Sequence, residues 1–446
     1  MDQETSELPL KKVRLEQSMD PLKKLCSDVF ELIFQHFTSA DVLESSKITH
    51  CWFEATAKSQ KCVEKLHLKV MVPFDKKEAE KFNTISQDLA SSRNYQNIYL
   101  HNFQEIVHEI VKLMTGRKWK KVFISVRNLR SMKDLLDIMK IIEPTVENLS
   151  ISGTSVRDPY FGPEVVHLSF PALKYFELTR SFGLLMREIS RDCKNLKQLK
   201  IDTDMSSWIA NEKYLRKILI HNEQLEKLTL WRCSAIHPFN EESIKHYRFK
   251  LKTFVYKNTS NLQKIITGEE EECLHDFLES QADSLETLRI DEWCGSEVLR
   301  LIFKMSKLSQ LTLDFDAAEK TIDWENLKLN PNFSIKKFHI ESISKVSICN
   351  ALFNALPNLR VLTIERLNNN TLNSIGSRCQ VLEELEIQDL RASHVDDPLY
   401  FPSIKKFHCE DRIRMKLKRR INHKPVNERS PFEQLVLTAE PYHVTQ

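Results

Sequence analysis

Leu173-Lys-Tyr-Phe176-Glu-Leu178, Leu196-Lys-Gln-Leu199-Lys-Ile201 and Leu225-Glu-Lys-Leu228-Thr-Leu230 state one pattern three times: apolar-x-x-apolar-x-apolar. The pattern continues as Leu251…Phe254…Tyr256, Leu285…Leu288…Ile290, Leu308…Leu311…Leu313 and Ile335…Phe338…Ile340. It closes with Leu359…Leu362…Ile364, Leu382…Leu385…Ile387, Ile404…Phe407…Cys409 and Phe432…Leu435…Leu437. Weaker copies precede these at Val63…Leu66…Leu68, Tyr95…Ile98…Leu100, Trp119…Val122…Ile124 and Val146…Leu149…Ile151. Fifteen copies result, with gaps of 22 to 34 residues and a mean of 26 between Val63 and Phe432.

The last two apolar positions of a copy lie two apart, so on a strand they point to one side. The first lies three residues earlier, where the chain bends onto the strand. One turn cannot cover its apolar side alone, and the next turn stacked on it does so. A period in the twenties with this signature fits a leucine-rich repeat, one strand and one helical or irregular return per turn. The returns look helical where length allows: Phe277-Leu278…Ala282 and Val298-Leu299…Ile302-Phe303 recur at three and four. Several turns carry Cys193, Cys233 or Cys379 where a small apolar group is expected, resembling the cysteine-containing class of these repeats. The expected fold is α/β: a solenoid with parallel strands on a concave face and returns outside. Fifteen strands at about 4.8 Å each would make an arc of roughly 70 Å, suited to holding a protein.

Composition narrows the chemistry. The chain has 446 residues, 41 % apolar and 28 % charged, with a net charge of +3. That balance is globular and gives no global drive toward nucleic acid. Seven glycines never cluster, so neither a phosphate-cradling loop nor a dinucleotide fingerprint is present. Ten cysteines never fall as C-x-x-C, the nearest pair being Cys51 and Cys62, and they read as reduced thiols. No metal, cofactor or catalytic residue is expected. The first twenty residues lack an apolar stretch of signal-peptide length, which points to a cytoplasmic and/or nuclear protein.

Residues 20–60 break the repeat and read as three short helices. The first carries Leu25, Val29, Leu32, Ile33 and Phe37, with Ser27 as the expected cap. The second follows Ser39 and Asp41 through Val42 and Leu43, and the third holds Ile48, Trp52 and Phe53. Leu25-Cys-Ser-Asp-Val29-Phe-Glu-Leu32-Ile33-Phe34-Gln-His-Phe37 resembles the first half of an F-box. Asp41-Val42-Leu43…Ile48-Thr-His-Cys-Trp52 is similar to its second half. The family's usual Leu-Pro start is here Leu25-Cys26.

An F-box followed by leucine-rich repeats resembles one class of substrate receptors in SCF ubiquitin ligases. The resemblance implies docking on a Skp-type adaptor and cullin scaffold through Leu25, Cys26, Val29, Leu32, Ile33, Phe37, Leu43, Ile48 and Trp52. It implies no catalysis by the chain itself. The rival reading is a leucine-rich scaffold unrelated to ubiquitin, its helices serving as a cap. The domains expected are a tail over 1–19, the helical module over 20–60 and the solenoid over 61–440.

A target protein of unknown identity would meet the outward strand residues. In the first three turns these are Lys65, His67, Lys69, Asn97, Tyr99, His101, Lys121, Phe123 and Ser125, summing to +3. Mid-arc they include Lys227, Thr229, Trp231, Arg289 and Asp291. In turns eleven to fourteen they include Lys337, His339, Glu341, Glu365, Glu384, Glu386, Lys406, His408 and Glu410, summing to −3. A target with a basic segment is expected against that acidic wall. Lys11-Lys12-Val13-Arg14 is compatible with nuclear import. The run Arg412–Arg420 holds six basic residues in nine, either an acidic-partner site or an outer face. Those two runs are all that favours a nucleic-acid reading, which lacks basic residues interleaved with aromatic platforms.

Overall fold

The computed structural model describes residues 27–48, 50–71, 94–101, 107–126, 132–153, 167–179, 183–202, 205–231, 239–257, 268–290, 295–314, 322–343, 345–391, 399–409, 415–421 and 433–439. Leu25, Cys26, Cys233, Asp291, Glu410, the 1–19 tail and the start of the basic run at Arg412 lie outside them. Two compact units divide the chain, Met1–Phe123 and Ile124–Gln446. Fourteen of the fifteen repeat copies meet strands of a parallel sheet whose order is chain order.

The first unit opens with helices α1 (Ser27–Phe34), α2 (Ser39–Ser45), α3 (His50–Lys58) and α4 (Gln60–Lys65). Ser27 is the first residue of α1. Helix α2 is capped by Thr38, which forms a reciprocal capping box with Asp41. Ser59 caps α4 by accepting from the Cys62 amide. Phe34 is fully buried, with Phe37 5.3 Å and Trp52 6.2 Å away, ring centre to ring centre. These rings form the small core of the module, together with buried Val42 and Thr56.

Strands β1 (His67–Met71) and β2 (Asn97–His101) pair in parallel, Leu68 opposite Ile98 and Val70 opposite Leu100. Helix α5 (Val107–Met114) buries Ile110 and Met114 and ends at Gly116, whose φ of 78° suits a residue without a side chain. Trp119 is fully buried and donates its Nε1–H to the Met114 carbonyl at 3.0 Å, fixing the approach to β3 (Lys121–Val126).

The second unit continues with α6 (Met132–Ile142), β4 (Asn148–Gly153), β5 (Tyr175–Thr179), α7 (Gly183–Asp192), β6 (Gln198–Asp202), α8 (Met205–His221) and β7 (Lys227–Trp231). Then come α9 (Glu241–Ile244), β8 (Thr253–Lys257), α10 (Gly268–Gln281), β9 (Thr287–Ile290), α11 (Ser296–Ile302) and β10 (Gln310–Leu313). The remainder is β11 (Lys337–Ile343), α12 (Val346–Asn354), β12 (Val361–Asn368), α13 (Asn369–Arg378), β13 (Glu384–Arg391), β14 (Leu399–Tyr400), β15 (Lys406–Cys409), β16 (Met415–Ile421) and β17 (Glu433–Ala439).

Register explains the repeat. Phe176, Leu199, Leu228, Phe254, Leu288, Leu311, Phe338, Leu362, Leu385 and Phe407 pair as one inward file from strand to strand. All but Phe407 are at most 2 % exposed, and burying each such side chain contributes about 1.5–3 kcal/mol. Phe277, Leu278, Val298, Leu299 and Ile302 are fully buried on α10 and α11, as the three-and-four spacing requires. The Glu269–Glu272 run falls in the first turns of α10.

Buried amides link one turn to the next. Asn222 accepts from the Leu196 amide at 2.8 Å and donates to the Cys193 carbonyl at 3.0 Å and the Ile218 carbonyl at 2.7 Å. Gln281 accepts from the Leu251 amide, and Asn332 donates to the Phe303 and Met305 carbonyls. Each satisfies backbone groups that the bends leave without a ladder partner.

The fifteenth copy is a correction. Strand β17 carries it, but pairs antiparallel with β16 and β14 in a separate three-stranded sheet. A period of two serves an antiparallel strand as well as a parallel one, so the pattern alone could not separate them. Part of the Arg412–Arg420 run lies on β16 rather than in a return segment.

Candidate functional site

The candidate surface is the outward side of the strands, with the helical module beside the first of them. In the module, Leu32, Leu43 and Ile48 are 59 %, 44 % and 63 % exposed. Only three other large apolar side chains among the described residues, Phe333, Val346 and Val381, are comparably exposed. Val29, Ile33, Phe37 and Trp52 are half-buried, the last two within the aromatic core. The residues expected to meet an adaptor thus divide into an outward apolar set and a packing set. Ile48 precedes α3 instead of lying on it.

Lys65 does not belong to the strand face. It ends α4, and its Nζ donates to the carbonyls of Phe34, Gln35 and Phe37 at 2.8, 2.8 and 2.6 Å. The cation sits at the end of α1, where free carbonyls concentrate partial negative charge. Asn97 is 1 % exposed and donates to the Glu64 and Leu66 carbonyls, so it too is structural.

What remains outward on β1 to β3 is an aromatic and basic cluster. The Phe123 ring centre lies 6.2 Å from His67 and 6.4 Å from Tyr99, and Tyr99 lies 6.3 Å from His101. Lys69 is exposed and Lys121 half-buried, and among the described residues no carboxylate pairs with either. Burial, then the charges of Lys121 and Lys69, hold the His67 imidazole below its ordinary pKa.

Mid-sheet, Glu177 is a hub. It accepts from the Tyr175 hydroxyl at 2.7 Å and Ser150 Oγ at 3.0 Å, and pairs with Lys200 at 2.5 Å. Burial pushes its carboxyl up, but hydrogen bonds from Lys200 and Tyr175 outweigh this and hold it below the usual range. Lys200 also lies 4.7 Å from the centre of the Trp231 ring, a cation–π contact that half-covers the tryptophan. Thr229, expected outward, is 5 % exposed. Lys227 is exposed and Arg289 half-buried on the same side of the sheet.

The acids expected to form a wall on the later strands have partners on neighbouring strands. Glu341 pairs with Arg366 at 2.8 Å, Glu365 with His339 at 3.3 Å and Glu384 with Lys406 at 2.6 Å. Glu386 accepts from Thr363 at 3.4 Å. Strand β12 runs on to Asn368, so it brings Arg366 to a face that the five-residue repeat unit left it out of.

The described thiols Cys62, Cys193, Cys349 and Cys379 are buried, and burial pushes the last three up to about 12, far from nucleophilic use. His275, Asp276 and Glu279 place ligand-type atoms within 4.8 Å of one another on α10, but on a surface open to water. No described helix is long and apolar enough to cross a membrane.

No family profile matches the chain. No curated protein matches it either. Solved structures that match include a TLR13–ssRNA13 complex, at 14 % identity and a TM-score of 0.38, covering 70 % of this chain and 45 % of the other. They also include the leucine-rich repeat-containing protein LegL7 from Legionella pneumophila, at 12 % identity and 0.34, covering 67 % and 90 %. The chain therefore spans less than half the length of the TLR13 chain. The parallel sheet with one strand per repeat, and helical or irregular returns, is an α/β solenoid fold of the leucine-rich-repeat kind.

Proposed function

We propose that the chain is a non-catalytic substrate receptor of an SCF-type ubiquitin ligase, with α1 to α3 docking on a Skp-type adaptor and the strand faces holding a target protein. The observation that carries this reading is the outward apolar set Leu32, Leu43 and Ile48 on a helical module with its own aromatic core. Such side chains on a small module mark a protein interface. The repeat face would supply orientation and effective concentration, while the chemistry belongs to other subunits. The cytoplasm and nucleus hold such partners.

Co-purification of the full-length chain with a Skp-type adaptor and cullin tests it. Leu32→Glu with Ile48→Glu should abolish capture without changing the thermal melt. Failure of the wild-type chain to capture any Skp-type adaptor would refute the reading. A second reading is a scaffold in which the helices only cap the repeats. The grip of Lys65 on three α1 and post-α1 carbonyls favours it, since that is how a cap is fastened to a first repeat.

A further inference from the structure

We infer that the outward face of β1 to β3 is a docking site for an acidic peptide segment carrying an aromatic or branched aliphatic anchor. The inference rests on the reading of strand faces as protein-binding surfaces, and not on adaptor docking.

Three observations carry it. First, Lys69 and Lys121 stand on a face whose described outward residues in the first unit include no acid: His67, Lys69, Tyr99, His101, Lys121 and Phe123. Lys118 and Lys120 lead into β3 and add to the positive field. A cationic patch attracts an anionic segment and speeds encounter.

Second, the rings of His67, Phe123, Tyr99 and His101 follow one another at centre-to-centre distances of 6.2 to 6.4 Å and form one aromatic cluster on the face that carries the lysines. Apolar and aromatic anchors flanked by charge are the usual centre of a peptide site. Third, burial and then the charges of Lys121 and Lys69 disfavour charge on the His67 imidazole, so the positive field of the two lysines is felt within the ring cluster, where an anionic partner would offset it.

Ring geometry distinguishes the occupant. Single-stranded nucleic acid needs flat ring faces open to successive bases. Here Phe123 is tilted 51° against His67 and 37° against Tyr99, and only Tyr99 and His101 lie nearly flat to one another at 12°, so the four rings do not make a row of plates. An apolar side chain can pack against these rings, and the lysines then meet flanking carboxylates.

The test is fluorescence anisotropy of the full-length chain with a fluorescein-labelled twelve-residue peptide alternating glutamate with phenylalanine and leucine. The same peptide with lysine for glutamate and a labelled oligouridylate serve as comparators. The acidic peptide should bind, the lysine peptide should not, and Lys69→Glu with Lys121→Glu should weaken binding about tenfold or more. Phe123→Leu should weaken it by a smaller factor, and a circular-dichroism melt verifies that each variant folds. Unchanged binding by the double charge reversal, equal binding of the lysine peptide, or preference for oligouridylate overturns the inference. Adaptor co-purification with the same variants should be unchanged. An adaptor failure with intact peptide binding removes the receptor reading and leaves this site standing.

Discussion

The strand face of β1 and β2 and the strand face of β11 to β15 are built on the same inward files of leucine, isoleucine and phenylalanine, yet their outward charges are arranged in opposite ways. On the later strands three of the acids have a basic neighbour: Arg366 for Glu341, His339 for Glu365, Lys406 for Glu384. On the first strands Lys69 and Lys121 share a face with an aromatic cluster, and among the described residues no carboxylate pairs with them. Paired charges satisfy one another and leave little field, whereas unpaired ones of one sign reach outward. The repeat therefore fixes the scaffold and leaves the outward residues free to differ from turn to turn.

The two faces share one kind of dependence, and breaking it should produce the largest effect. Asn97 in the first unit and Asn222 in the second are both buried amides that tie one turn to the turn before. Asn222→Ala leaves the Leu196 amide and the Cys193 carbonyl buried without partners. It should destabilise the second unit by about 3 kcal/mol, read as a lower urea midpoint. A loss under about 0.5 kcal/mol would mean that water or backbone movement replaces the amide.

Glu177 comes next. Its carboxylate is half-buried and holds Lys200, Tyr175 and Ser150 at once. Glu177→Gln keeps the shape and removes the charge, so about 1–2 kcal/mol should be lost after allowing for solvent. The sign with pH follows from the direction of its shift. A carboxyl held below its ordinary value of 4.5 contributes fully above that pH and loses its contribution as pH falls through the folded value. Melts of wild type and Glu177→Gln should converge as pH falls below 4.5 and through the folded value, and parallel curves would show that the hub is not electrostatic.

Much of the scaffold was legible in the sequence because it is written in a local period. Leu199 and Ile201, or Leu362 and Ile364, state their direction two residues apart, and stacking them needs no further information. The site was less legible because it is assembled across turns. The rings of His67, Tyr99 and Phe123 meet although their positions are spread over three repeats, and no window of sequence contains them together. The absence of an aromatic platform, inferred from the basic runs alone, missed this cluster. The partners of the later acids were hidden for the same reason. Glu341 finds Arg366 25 residues away, one repeat further on. Lys65 failed differently: counted as the residue before a strand, it sits at the end of α4, where it closes α1 instead.

A smaller effect separates the two faces directly. His67 faces Lys69 and Lys121 and is partly buried, so its folded pKa lies below the ordinary 6.5. A histidine shifted down is neutral in the fold when the unfolded chain has begun to take up protons. Stability is then complete above about pH 6.5 and declines as pH falls from there toward the folded pKa. Two changes should both flatten this slope. Lys69→Glu should raise the His67 pKa, measured by NMR titration of its imidazole, and His67→Gln should remove the slope. If Lys69→Glu leaves the imidazole unmoved, the lysine is too well solvated to act on it, and the contrast between the faces is weaker than drawn.

The smallest effect is expected where the charges are already matched. Lys406 and Glu384 meet at 2.6 Å on adjacent strands, and the pairing raises the Lys406 pKa. The lysine is fully in water, where an ion pair gains little over two hydrated ions and loses side-chain freedom. Glu384→Gln with Lys406→Gln should leave the melting temperature unchanged within error, because the face loses no net charge and no buried contact. Glu384→Lys alone is more informative, since it places two cations on neighbouring strands and begins to make this face resemble the first one. If the paired face is inert toward acidic ligands only because its charges cancel, that single reversal should give it weak, salt-sensitive affinity for the glutamate-rich peptide. Continued inertness would mean that the aromatic cluster of β1 to β3, and not unpaired lysine alone, is what an acidic segment recognises.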